Sequence, residues 1–128
     1  MSVRIVRLGS PRLRGEGLRI GTVRRPPRGV PKRDFARRNF YDVWLPTLSP
    51  SAEAVKGALT ATTDRDWARF VKRYRREMAR PEPRATLALL AALSHEADFS
   101  VGRYCENESR CHRSVLRELL REHGARLG

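Results

Sequence analysis

The densest group of chemically capable side chains in this sequence lies between Cys105 and Ser114. The segment contains both cysteines of the chain, Cys105 and Cys111, and it ends in His112-Arg113-Ser114. Thiols, an imidazole, a guanidinium and a hydroxyl can bind an anion, supply a nucleophile or ligate a metal. The segment therefore indicates a functional site, although it does not by itself define a reaction.

The elements on either side of this segment would position it. A strand is predicted before it, from Phe99 to Tyr104, and a helix after it, from Cys111 to His123. Free N–H groups and the dipole at a helix start favour a nearby anion and activate a thiol. We therefore expect His112 and Arg113 to add charge and donors to an anion pocket and Ser114 to add a hydroxyl.

A thiol-dependent enzyme is an alternative function, with Cys105 or Cys111 as the catalytic nucleophile. Cys111 and Arg117 have the Cys-x5-Arg spacing of a phosphatase loop, which requires Cys111 to Ser114 to be loop. The intervening residues contain no glycine, and Val115 and Leu116 fit the buried face of a helix. A Cys-x-x-Cys redox motif is absent from the sequence.

A structural zinc site is short of ligands. Cys105, Cys111 and His112 provide three of the four that such a site needs, and His95 precedes the strand. We therefore predict no metal site, and the sequence identifies no cofactor. The alternative is structural: both cysteines pack as small apolar residues while His112 and Arg113 cap the fold.

Two arginine-rich loops in the first half of the chain extend the predicted site. Residues 12–19 and 24–28 combine arginines with glycines or prolines, a composition that suits a clamp for phosphate or carboxylate. We predict that Arg12, Arg19 and Arg28 contact the same anionic ligand as the helix start.

The charge distribution favours an anionic partner, either a small molecule or a nucleic acid. The net charge is +13, and residues 1–50 contain 12 basic but only three acidic residues. A nucleic-acid-binding module that uses this basic half is the second function considered. Only three of the basic residues are lysines, which also fits the general bias of an arginine-rich genome.

The chain contains no apolar run of membrane-spanning length and no signal-peptide pattern, so we expect a cytoplasmic protein without a membrane partner. Residues 1–128 are predicted to form a single compact α/β domain with a small, mainly parallel sheet flanked by helices. An apolar stripe on one helix should face the core. Strands are predicted at Val3–Leu8, Leu18–Val23 and Phe99–Tyr104, helices at Ser51–Leu59, Thr63–Arg80, Pro83–His95 and Cys111–His123, and the stripe comprises Trp67, Phe70, Val71, Tyr74 and Met78.

Several motifs in order resemble the YeaO-like proteins, a bacterial group within the family named domain of unknown function four-eight-eight (DUF488). They are the segments at residues 7–12, 15–19, 27–32, 42–45, 48–51 and 111–116. The resemblance implies a compact α/β fold, and it implies no activity because none is established for the group. Family members usually have Val-Asp-Arg-Leu-Trp-Pro-Arg-Gly where this chain has residues 22–29, so the acidic residue and the tryptophan of that segment are missing.

Overall fold

A computed structural model describes residues 1–60, 62–104 and 112–128. Within them, a parallel sheet packs against α-helices, and the predicted α/β class is confirmed. The strands are β1 (Val3–Arg7), β2 (Leu18–Gly21), β3 (Val43–Trp44) and β4 (Phe99–Arg103), and the helices are α1 (Ala52–Leu59), α2 (Asp64–Met78), α3 (Pro81–Leu93) and α4 (His112–Glu122).

The last strand of the chain lies inside the sheet. The strand order is β1-β4-β2-β3, and every pair is parallel. Val101 of β4 is in register with Ile5 on one side and Ile20 on the other. Because all four strands run in one direction, their carboxyl ends meet at a single edge of the sheet.

The helices cover one face of the sheet and form the main core with it. Ile20 and Val101 are buried on this face, and α2 contributes Phe70, Tyr74 and Met78. The remaining members of the predicted α2 stripe are half-buried against the same cluster. The helical spacing of these residues therefore identified the core face of α2 correctly.

The helix ends follow the capping residues in the sequence. The side chains of Ser51 and Thr63 accept hydrogen bonds from backbone N–H groups in the first turns of α1 and α2. Helix α3 begins at Pro81, two residues before the predicted start, because proline is well tolerated in a first turn. No described helix has the length and apolar composition that a membrane span requires.

The other face of the sheet buries an ion pair. Arg19 is completely buried, and its Nε and Nη2 donate to the carboxylate of Glu16 at 2.8 and 2.9 Å. Its Nη1 donates to the backbone oxygens of Ser10 and Asn39, and Ser100 of β4 donates to Glu16. The pair therefore joins the loop before β2, the loop before β3 and the central strand.

The carboxyl group of Glu16 is stabilised as the anion. Burial by itself raises its pKa, but hydrogen bonds from Arg19, the Leu13 N–H and Ser100 outweigh that effect, as does the charge of Arg19. The result is a pKa lowered from 4.5 to about 2. The Glu16 carboxylate is thus ionised over the whole physiological range.

We expect the substitution Arg19→Met to lower the free energy of unfolding by about 3–5 kcal/mol, because it leaves the Glu16 carboxylate buried without its partner. The measurement is urea-induced unfolding at neutral pH. Arg121→Met is the matched control, since it removes an arginine from an exposed pair with Glu118 and should cost less than about 1 kcal/mol. Equal losses in the two variants would contradict a stabilising role for the buried pair.

Candidate functional site

A cleft of about 910 Å³ opens at the carboxyl edge of the sheet. Arg103 at the end of β4 and His112 at the start of α4 line it, together with residues 23–28, which follow β2. The beginning of α1 forms part of another wall. Ligands of parallel α/β folds commonly bind at this edge, where loops follow the strands.

His112 is held by hydrogen bonds on both ring nitrogens. The Nη1 of Arg103 lies 2.9 Å from Nδ1, and Thr22 Oγ1 lies 3.4 Å from Nε2. A guanidinium can only donate, so Nδ1 accepts and the ring proton resides on Nε2. The Thr22 hydroxyl accepts the hydrogen bond from the Nε2–H group of His112, and it donates to the Gly102 carbonyl at 3.0 Å.

The His112 ring is neutral in the folded protein. It is 1% exposed, and burial lowers its pKa well below 6.5, as do the charges of Arg103 and Arg113. The sequence predicts that His112 contributes charge to an anion site. The structure instead makes it a neutral acceptor that fixes the orientation of Arg103.

Arg103 carries a positive charge that the described residues do not compensate. Within the described part of the chain, no carboxylate lies at ion-pair distance from it, and its hydrogen-bond partner is the uncharged ring of His112. Burial lowers the pKa of Arg103, while the nearby hydroxyls of Tyr74 and Tyr104 act in the opposite direction. An arginine remains charged under such conditions because its unperturbed pKa is very high.

The lining of the cleft has one sign of charge. Among the described residues it contains four arginines and no aspartate or glutamate. Arg24, Arg25 and Arg28 are exposed at its mouth, whereas Arg103 is half-buried. Clefts lined by one sign of charge concentrate ligands of the opposite sign, so this cleft favours an anion.

Aromatic residues fix the arginine segment against the sheet. The Tyr104 hydroxyl donates to the Arg25 carbonyl at 3.1 Å, and Trp44 Nε1 donates to the Val23 carbonyl at 2.7 Å. Phe40 packs edge-to-face on Tyr104 with ring centroids 6.2 Å apart. The backbone that presents the arginines is thus held at two points, although prolines and arginines dominate its sequence.

The predicted ligand-binding residues occupy different places in the structure. Arg28 and His112 line the cleft together. Arg12 instead makes a two-point ion pair with Asp42 at 2.8 and 3.0 Å, and Arg19 is paired with Glu16. Neither of these two arginines lines the cleft. The guanidinium of each is already paired with a carboxylate of the same chain.

The remaining predicted site residues follow His112. Arg113 is buried and Ser114 is half-buried, both within the first turn of α4. The proposed nucleophiles, Cys105 and Cys111, lie outside the described residues, so their catalytic role stays a prediction. His112 to Ser114 are helical, whereas the phosphatase-loop hypothesis required them to be loop.

Arg103 and Tyr104 line the cleft but are not among the residues that the sequence predicted for the site. Both were assigned to a predicted strand and given no role in the site. The usable signal was their position, since residues at the carboxyl end of a buried parallel strand face the ligand-binding edge. Arg103 ends the central strand and is therefore placed near the middle of that edge.

A zinc site that includes His95 is not supported by its position. His95 precedes β4, and its Nε2 donates to the Gly124 carbonyl at 2.8 Å, at the amino edge of the sheet and away from His112. Among the residues that the structure describes, no group of three or more His, Cys, Asp or Glu side chains is arranged to hold a metal.

Comparison with known proteins identifies the family. The model of the family described as "Active DUF488-N3 subclade" matches residues 3–124. The chain belongs to the DUF488 family. No curated protein and no solved structure matches it. The match assigns the chain to a family and specifies no reaction.

The neutral state of His112 predicts a pH-dependent stability. The unfolded chain binds a proton on this ring below about pH 6.5, whereas the folded chain resists it, so stability falls as the pH decreases. The free energy of unfolding should fall more steeply between about pH 6.5 and 5 in the wild type than in His112→Gln, by up to about 1.4 kcal/mol per pH unit.

The measurement is urea-induced unfolding at a series of pH values, with His95→Gln as the control. That variant replaces an exposed histidine at the opposite edge of the sheet and so controls for the loss of a histidine side chain as such. Parallel pH profiles for the wild type and His112→Gln would show that His112 does not titrate differently on folding.

Proposed function

We propose that this DUF488 protein binds a phosphate-bearing anion in the cleft at the carboxyl edge of its sheet. The observation that carries the proposal is Arg103, a half-buried guanidinium that is held by a neutral histidine and has no carboxylate partner among the described residues. A charge removed from water is stabilised by an opposite charge, and a bound anion would provide it.

Two further features support an anion at this place. Arg24, Arg25 and Arg28 surround the mouth of the cleft, and arginine forks match the geometry of phosphate oxygens. Helix α4 begins at His112, so the positive end of its dipole lies beside the cleft. The proposed binding site keeps Arg28 and the α4 start from the sequence-based hypothesis and adds Arg103.

A thiol-dependent reaction on the bound anion is compatible with this site. Cys105 follows Tyr104 in the chain and Cys111 precedes His112, so each cysteine is the sequence neighbour of a cleft residue. The description of the matched subclade as active is compatible with an enzymatic role. His112 is a poor general base for such a thiol because both of its ring nitrogens are already hydrogen-bonded.

We expect Arg103→Met to weaken phosphate binding at least about 10-fold, since a charge-assisted hydrogen bond contributes roughly 1.5–3 kcal/mol. The dissociation constant for inorganic phosphate is measured by isothermal titration calorimetry, with chloride at equal ionic strength as the reference. Arg28→Met, at the exposed mouth, should weaken binding by a smaller factor and provides a second test if Arg103→Met does not fold.

Arg84→Met is the charge-matched control, because Arg84 is exposed on α3 and does not line the cleft. It should bind phosphate as the wild type does. The proposal is wrong if phosphate binds no better than chloride, or if the Arg103 and Arg28 variants bind phosphate with wild-type affinity.

A nucleic-acid partner is the second candidate function, and one surface favours it. Arg65, Arg69, Lys72 and Arg76 are exposed at helical spacings of three or four residues and so form one stripe along α2. Within the described residues no ion pair is formed by these four, in contrast to Arg73, which pairs with Glu53 and Glu77. Such a row of cations can follow a phosphate backbone.

The salt dependence of the affinity for nucleic acid tests whether the stripe on α2 is the binding surface. If the stripe binds single-stranded nucleic acid, replacing Arg69 and Lys72 with methionine should reduce the slope of log K against log salt by roughly 1.4, or 0.7 per lost phosphate contact. Fluorescence anisotropy with a labelled oligonucleotide measures the slope. An unchanged slope would exclude the stripe as the binding surface.

A further inference from the structure

We infer that the anion bound in the cleft is a nucleotide, a phosphate ester that carries a heteroaromatic ring. This inference rests on the proposed function and specifies its ligand class. It comes from the apolar and aromatic part of the cleft lining, which a phosphate alone does not use.

The apolar wall has two parts. Pro50, Ala52 and Val55 bring the start of α1 to the cleft, and Phe40 and Tyr104 bring an aromatic pair. None of these side chains other than the Tyr104 hydroxyl can donate or accept a hydrogen bond. A small inorganic anion would leave this wall in contact with water, whereas a ligand with a flat apolar group would cover it.

The aromatic pair has the arrangement that base recognition uses. Phe40 and Tyr104 are both half-buried and meet edge-to-face, with an angle of 74° between their rings, so their contact covers a face of one ring only. The guanidinium of Arg38, which does not line the cleft, lies 5.9 Å from the centre of the Phe40 ring. Aromatic rings and arginine planes are the groups on which proteins stack bases.

The size of the cleft supports the same ligand class. Its volume of about 910 Å³ lies near the upper end of the roughly 300–1,000 Å³ usual for small-molecule sites. An inorganic phosphate would occupy a small part of this space. A nucleotide places its phosphate on the arginines and its base against the apolar wall, so it uses both halves.

The experiment compares two ligands of equal charge. Adenosine monophosphate and ribose 5-phosphate carry the same phosphate monoester, and they differ in the base. We expect the nucleotide to bind roughly 5- to 100-fold more tightly in isothermal titration, the range that stacking on an aromatic side chain provides. Inorganic phosphate serves as the reference for the arginine half of the cleft.

Variants assign the preference to the apolar wall. Phe40→Leu should remove most of the preference for the nucleotide while its affinity for ribose 5-phosphate is retained. Val55→Thr keeps the shape of its side chain but makes it polar, and it should reduce the preference about 2- to 5-fold even if Phe40→Leu does not fold. Arg103→Met should weaken both ligands together.

The outcomes separate the two proposals. If ribose 5-phosphate and the nucleotide bind equally well, the cleft binds phosphate but the nucleotide inference is overturned. Retention of the full preference by both wall variants overturns it too, because the base would then lie elsewhere. If none of the three ligands binds, phosphate binding itself is wrong and the inference fails with it.

Discussion

The insertion of β4 between β1 and β2 is the constraint on which the rest of the structure depends. The first two strands are joined in the sheet only through the last one, and the close fit leaves no room for a side chain at Gly102, whose Cβ would collide with the Val6 carbonyl oxygen. The Gly102 carbonyl then receives the N–H and the hydroxyl of Thr22. Strand pairing therefore fixes Thr22, which positions His112, which in turn orients Arg103. The ligand edge is a direct consequence of the sheet order.

Burial determines the chemistry of this edge. The His112 ring packs against Tyr74, at 5.5 Å between centroids, and the Tyr74 hydroxyl donates to the Leu48 carbonyl at 2.6 Å. A protonated imidazole in that environment would lose hydration and face two arginines, so the neutral form is preferred. Because a neutral ring accepts one hydrogen bond and donates one, it joins Arg103 to Thr22 without neutralising the guanidinium. The charge of Arg103 therefore stays without a carboxylate partner among the described residues.

Local patterns in the sequence predicted the elements well, but they identified only some of the residues that line the cleft. Helical spacing identified α2 and its buried face, and the capping side chains Ser51 and Thr63 marked two helix starts correctly. The burial of Arg19 was not predictable in this way, because its partner Glu16 lies in a loop whose path depends on the sheet order. Arg103 was missed for the same reason: its contact with His112 exists only once β4 is central. Arg28 was named from the sequence because an exposed arginine in a proline-rich loop needs no tertiary partner to be recognised; it lines the cleft, and its ligand-binding role stays a prediction.

Arg19 and Arg103 have the same type of side chain but different roles: Arg19 stabilises the fold, and Arg103 is proposed to bind the ligand. Both extend from neighbouring parallel strands, and both are withdrawn from water to a large extent. The Arg19 guanidinium has its carboxylate, uses two backbone oxygens besides, and contributes to joining the loops to the sheet. Arg103 has a neutral ring instead of a carboxylate and opens onto a cleft with three further arginines. Folding alone favours the first arrangement, because a buried charge is costly without its opposite. The second arrangement is explained when the missing negative charge is that of the ligand.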